Sequence, residues 1–137
     1  MKLKKNYLFF NVKNIHQAIE TIFICKTIKI LPIVCIKFFL VDGFGPDWIK
    51  EFKNLLLKKF NKRDFKILVD CRKNYGLFIN LVQQKLNFLQ INADPKTLSR
   101  LKNIAKKNKV TVNHKISIIN LANIKNIKSK IQKIYKV

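Results

Sequence analysis

Along this chain the spacing of apolar residues switches between a two-residue period and a three- to four-residue period, five times over. Tyr7–Val12 is a short β-rich run, and Asn14 is placed to cap the helical stretch Ile15–Ile28 behind it. Pro32–Phe39 reads as a buried strand. The turn Asp42-Gly43-Phe44-Gly45 then delivers the chain to Pro46, a residue suited to the first position of a helix. Trp48, Ile49, Phe52, Leu55, Leu56 and Phe60 recur at three- and four-residue steps, which predicts an amphipathic helix over Pro46–Asn61. Phe65–Val69 forms a third strand ending at Asp70. Asn74 caps a helix reaching Leu86, with Phe78, Leu81, Val82 and Leu86 inward. Phe88–Ile91 is a fourth strand. Asp94-Pro95 joins an N-cap acceptor to a proline at the first helical position, and its helix runs to about Asn108. Val110–Asn113 is a fifth strand, with Ile119 as its furthest extent. A last helix from about Leu121 sets Ile124, Ile127, Ile131 and Ile134 on one stripe.

Strands alternating with helices through short connections predict an α/β fold, one domain over residues 1–137. About five mainly parallel strands are expected, with right-handed crossovers and helices on both faces. A flavodoxin-like doubly wound order is the first reading, and an open sheet of the anti-sigma-antagonist type is the second. No linker, low-complexity block or internal repeat divides the chain.

Charge changes this picture. The chain carries a net charge of +22, and from Pro95 onward it has twelve Lys and Arg with no Asp or Glu. Self-repulsion on this scale works against compaction, so a polyanion is expected in the working environment. An AT-rich genome accounts for Lys outnumbering Arg by 26 to 3, but not for the survival of only seven carboxylates. With 48% apolar residues the chain is no disordered tail. Ile22–Val41 is its most apolar stretch, but Lys26, Lys29, Lys37 and Pro32 interrupt it, which argues against a membrane span. The apolar run behind Lys2, Lys4 and Lys5 is too short for a secretory signal. A cytoplasmic or organelle-matrix protein is expected, neither exported nor transmembrane.

Cys25, Cys35 and Cys71 have neither C-x-x-C spacing nor an adjacent histidine, so a disulfide framework and a zinc site are not expected. In an open α/β sheet, ligands sit beyond the carboxyl ends of the strands. A candidate cleft is therefore drawn from Asp42, Asp70, Cys71, Arg72 and Asn74. Asp70 is no receiver-type phosphoacceptor, because Lys13-Asn14 stands where paired acids would hold a metal; turn formation suits it better. Cys71, beside Arg72 and Lys73 and ahead of a helix, could have a lowered pKa. No base stands beside it in sequence, and an isolated Cys after a strand is more often packed. Gly43-Phe44-Gly45 lacks the third glycine of a dinucleotide fingerprint and the Lys-Ser/Thr of a phosphate loop. No cofactor is implied. His16 and His114 have no partner at ligand or triad spacing.

The basic faces carry more. Arg100, Lys102, Lys106, Lys107 and Lys109 fall opposite the apolar stripe of one helix, and Lys125, Lys128, Lys130, Lys133 and Lys136 do so on the next. Acid–base pairs at i,i+4 normally soften such a face, and here they are missing. Lysine offers point charges without a bidentate fork, which suits phosphate contact rather than base reading. The aromatics are mostly Phe at core spacing, so stacking platforms are not expected.

Two stretches carry a resemblance. Gly45-Pro46-Asp47-Trp48-Ile49 is similar to a Gly-Pro-x-Trp-Phe motif that opens a helix. Ile67-Leu68-Val69-Asp70-Cys71, followed by Gly76, is similar to a strand ending in Asp-Cys-Gly before a Pro-Gly helix start. Over residues 14–113 the chain resembles a small family of alphaproteobacterial α/β proteins without a known activity. Arg72 stands where that family has Gly, and Tyr75 where it has Pro. The resemblance implies the α/β fold and a bacterial-type origin, an organelle included; it implies no activity.

The expected function is non-enzymatic association with RNA or the ribosome through sequence-independent phosphate contacts, with an anionic membrane surface as a lesser variant. The alternative is a small-molecule or enzymatic domain that uses the cleft around Asp70–Asn74.

Overall fold

The structure, a computed structural model, describes residues 6–135. Six strands form one sheet: β1 Tyr7–Asn11, β2 Leu31–Ile36, β3 Lys66–Asp70, β4 Phe88–Gln90, β5 Thr111–Val112 and β6 Ile118–Asn120. Their spatial order is β5-β4-β3-β2-β1-β6, and every pairing is parallel. The helices are α1 Ile15–Thr27, α2 Phe38–Phe44, α3 Pro46–Lys59, α4 Tyr75–Gln83, α5 Pro95–Lys107 and α6 Ile127–Tyr135. The α/β class and the parallel sheet are those read from the sequence, with six strands in place of about five. Winding reverses at β1, which has β2 on one side and β6 on the other.

From β1 to β5 each strand is added on the same side of the last. Right-handed crossovers that all travel one way place their helices on one face. Val34, Ile36, Ile67, Val69 and Leu89 accordingly share a core with Ile22 of α1, Leu56 of α3, Phe78 of α4 and Ala105 of α5. Phe10 joins α1 and α6 through Cys25, Ile127 and Ile131. The other face, Phe9, Ile33, Cys35, Leu68 and Phe88, has no helix in its cluster. It is covered from residues 113–117, which pass from β5 to β6. Ile116 packs on it, and the His114 ring lies 6.0 Å from that of Phe9 and 5.6 Å from that of Phe88. Helices on both faces were expected; a strap replaces them on this one.

Three expected elements differ, each for a local reason. The strand from Pro32 stops at Ile36, and the apolar run after Lys37 coils into α2, with Gly45 at φ 86° separating it from α3. The fifth strand ends at Val112 because Asn113 adopts φ 52°, so Ile118–Asn120 is free to pair with β1 at the far side. The last helix starts at Ile127 because the Asn126 side chain accepts from the Ser129 N–H at 2.9 Å.

Helix ends follow one scheme. Asn14, Asn74 and Asp94 cap α1, α4 and α5, accepting from the N–H groups of Gln17, Leu77 and Thr97. Bonds from the Thr97 side chain and backbone hold the Asp94 carboxyl below the usual carboxylate range. At their C-termini these same helices end on Lys29, Lys85 and Lys109, at φ 60°, 58° and 60°. Each is followed by a buried apolar residue whose N–H returns to a buried residue five positions back: Ile30 to Cys25, Leu86 to Leu81, Val110 to Ala105. These are Schellman turns, in which the left-handed position normally belongs to Gly. An L side chain there costs roughly 1–2 kcal/mol.

Gln17 ties the start of α1 to the end of β6. Its amide accepts from the Lys13 N–H at 2.9 Å and donates to the carbonyls of Leu121 at 2.8 Å and Ala122 at 3.3 Å. Gln17→Leu should destabilise the protein by about 1–3 kcal/mol, because it leaves the buried Leu121 carbonyl, and the part-buried Lys13 N–H and Ala122 carbonyl, without this partner. Urea unfolding at neutral pH measures it; a loss well below that range would show that the β6 end is held by other contacts.

Candidate functional site

Beyond the carboxyl ends of β3, β4 and β5 lies a cleft of about 810 Å³. Asp70 starts its wall by closing a turn on itself: its Oδ1 accepts from the Arg72 N–H at 3.0 Å. That turn holds Arg72 at φ 48°. The loop is fastened to β4 from both sides, with Cys71 N–H donating to the Gln90 carbonyl at 2.8 Å and Asn92 N–H to the Arg72 carbonyl at 2.6 Å. Asn113 completes the rim by clamping Ile91, accepting from its N–H at 2.9 Å and donating to its carbonyl at 3.0 Å. The Arg72 guanidinium lies 5.3 Å from the centre of the Phe38 ring. A smaller hollow of about 280 Å³ shares Phe38, Asp70, Arg72 and Gln90 with the main cleft.

Of the residues singled out from sequence, Asp70, Arg72 and Asn74 line the cleft, and Lys73 joins them. Asp42 is exposed on α2 and is not among the lining residues. Cys71 does not face the cleft. It is fully buried among the helices' apolar residues, and burial, with Asp70 adding to it, pushes its thiol up to about 12. The lowered pKa expected for Cys71 is therefore corrected: burial, with the Asp70 carboxylate, raises it. Phe38 and Gln90 escaped the sequence reading. Phe38 was hidden in a run assigned to β2, and Gln90 inside a strand.

Most phenylalanines are in the core, as their spacing implies, but not all. Phe39 and Phe44 are each 64% exposed, and the Phe44 ring stacks on Trp48 at 5.4 Å. They belong to α2, which sits beside the cleft and follows Lys37. A turn residue at Phe44 gave no sign of this, because the sequence placed it between glycines.

The two basic helices lie far apart. In the helical layer α5 packs on α4, α4 on α3, α3 on α1 and α1 on α6, so α5 and α6 are at opposite ends. Four interhelix steps amount to roughly 32–40 Å. Arg100, Lys102, Lys106 and Lys107 on α5 and Lys109 after it are exposed, as are Lys128, Lys130 and Lys133 on α6. Lys125 is exposed but precedes α6, and Lys136 lies outside the described residues. The two basic faces read from the sequence thus sit at opposite ends of the helical layer. Between them α4 carries no basic residue.

Among the described residues no three of His, Cys, Asp and Glu gather to hold a metal ion, and no helix is long and apolar enough to cross a membrane. No family model, curated protein or solved structure matches the chain.

All three thiols are buried, and burial pushes Cys25 and Cys35 up to about 12 as well. In native protein Cys71 should alkylate no faster than the other two, as peptide mass spectrometry would report. Unfolded thiols ionise near 9.0 while folded ones stay protonated toward 12, so the native state holds more protons in that window. The thiols' contribution is complete below pH 9.0 and shrinks as pH climbs toward 12. The urea midpoints of wild type and Cys71→Ala should therefore converge as pH rises from about 9 to 11. A constant gap would mean that the Cys71 thiol ionises as freely folded as unfolded.

Proposed function

We propose that this protein binds RNA, free or in the ribosome, through sequence-independent contacts to phosphate. The observation that carries this reading is the state of its cations. Among the described residues one ion pair forms, Lys26 to Asp64 at 3.3 Å, against a chain charge of +22. Asp64 is moreover committed locally, since its carboxylate also accepts from the Asn61 N–H at 2.9 Å. The lysines of α5 and α6 face solvent without acidic neighbours on their own helices, and α5 and α6 contain no Asp or Glu. A polyanion supplies the missing counter-charge, and lysine suits it as a point charge.

Binding of this kind weakens linearly in log–log plots against salt, with a slope near −0.7 to −0.9 per neutralised phosphate. Fluorescence anisotropy with two unrelated RNA oligomers should give equal affinities and one steep common slope. Undetectable binding at about 0.15 M salt, or strong preference for one sequence, would overturn the reading. An anionic membrane surface is the competing polyanion. Flotation with phosphatidylserine vesicles that succeeds where RNA binding fails would favour it.

The cleft supports a second reading, a small anionic ligand held by Arg72 and Lys73 with its apolar part against Phe38. Inorganic pyrophosphate should then raise the melting temperature of wild type and do so less for Arg72→Gln. Equal shifts would assign the effect to general charge screening and remove this reading.

A further inference from the structure

A parallel sheet gathers all strand starts at one edge, and with them all turns that lead out of a helix. In this protein those turns are where cations collect. Lys26 and Lys29 lie before β2, Lys58, Lys59, Lys62 and Arg63 before β3, Lys85 before β4, and Lys106, Lys107 and Lys109 before β5. All ten are exposed. The opposite edge also carries exposed cations, Lys13, Arg72, Lys73, Lys96 and Lys125, but there Asp42, Asp47, Asp70 and Asp94 stand among them, leaving Asp64 as the acid among the strand-start turns.

Helix macrodipoles favour cations in a last turn and explain part of this. They do not require Lys29 and Lys109, because α1 and α5 already hold Lys26, Lys106 and Lys107 in their last turns. Nor does scarcity of glycine explain the left-handed lysines. The chain has only three Gly, but it is rich in Asn, which tolerates this conformation better and does occupy it at Asn113. Three times, then, the less favourable residue stands at the same structural position, and each time it is the one that adds a cation to the same edge.

Crowding among these cations is already felt. Lys66, at the start of β3, has its pKa lowered by burial and by the charge of Lys62, and Lys53 is lowered by the same two causes. Strands lie about 4.7–4.9 Å apart, so the row from β5 to β2 spans roughly 14–15 Å, enough to follow a few successive phosphates.

We infer that the edge formed by the strand starts, marked by Lys29, Lys85 and Lys109, is the principal surface on which a nucleic-acid backbone lies. This rests on the RNA reading and relocates its contact: the outer faces of α5 and α6 contribute at their lower ends, through Lys106, Lys107 and Lys133, and not along their length. A backbone crossing the strand starts meets cations from several turns at once, which two separated helix faces do not offer.

Two triple variants of equal charge test it. Lys29, Lys85 and Lys109→Asn removes the edge lysines while suiting the left-handed backbone, so circular dichroism should show an unchanged or higher melting temperature. Arg100, Lys125 and Lys128→Gln removes three cations from the upper helix faces. The edge variant should flatten the RNA salt slope by about two units, three phosphates at 0.7–0.9 each, and weaken binding at least about tenfold at 0.15 M salt. The face variant should change the slope by less than half as much. Equal effects would show that net charge alone matters and would overturn the inference, as would a larger effect of the face variant. In both cases the RNA reading survives; if wild type binds no RNA, that reading fails too. Edge variants that lose phosphatidylserine vesicles but keep RNA would overturn the assignment to nucleic acid.

Discussion

One-directional winding of a parallel sheet is the constraint on which this structure depends. Crossovers between parallel strands are right-handed as a rule, and four in succession here move the same way, so the sheet is lined by helices on one side and, among the described residues, has no helix in the cluster on the other. A bare apolar face is not stable in water, and about 25 cal/mol per Å² of apolar surface drives its covering. The chain solves this with little material. Residues 113–117 cross the face, His114 and Ile116 bury Phe9, Ile33, Leu68 and Phe88, and the far end pairs as β6 beside β1. Asn113 starts this crossing with a left-handed turn and a two-bond clamp on Ile91, and Gln17 secures its end at Leu121. The strap thus links the last strand to the first helix.

The same winding sorts charge. Helix starts need acceptors for free N–H groups, and Asn14, Asn74 and Asp94 supply them at one edge. Helix ends carry lysine at the other. Residues dispersed along the sequence therefore become two unlike rims: one with the cleft, most acids and the exposed Phe39 and Phe44, the other nearly all cationic. The cost of concentrating cations is borne by the core. Its large side chains, among them Phe10, Phe78, Phe88 and Leu56, are fully buried, and no buried side-chain polar atom among the described residues lacks a partner.

How much was legible in the sequence followed from how local each signal was. The starts of α3 and α5 were clear because proline at the first helical turn is decided within two or three residues. The Phe38–Phe44 helix was not, since an apolar run without periodicity fits either element and here no side chain caps it. The break at Asn113 was hidden because a continued strand and a strap read alike; which edge β6 joins is decided by distant partners. The cleft was legible through Asp70, Arg72 and Asn74, where position after a strand suffices. The burial of Cys71 follows from strand alternation, a stronger signal than its charged sequence neighbours. Side chains alternate along a strand, and Cys71 continues the inward series of Ile67 and Val69 one step past the end of β3. The lysine turns were visible as apolar-x-x-x-Lys-apolar at Cys25–Ile30, Leu81–Leu86 and Ala105–Val110, but a six-residue pattern gains meaning only when the three copies are seen to share an edge.

Both edges belong to the same rigid strands, yet they are physically independent. The five residues of β3 separate Lys66 from Asp70 by roughly 13 Å at 3.3 Å per step. Sites further apart than about 7–10 Å with no shared partners behave additively. Arg72 is held by Asp70, Asn92 and Phe38, none of which touches the turns that hold Lys29, Lys85 and Lys109. A change confined to one rim therefore leaves the geometry of the other in place. What crosses between them is charge alone, and at physiological salt the screening length of about 8 Å is shorter than that separation. The protein can carry a cationic edge and a ligand-sized cleft without either disturbing the other, so effects measured at one rim report on that rim.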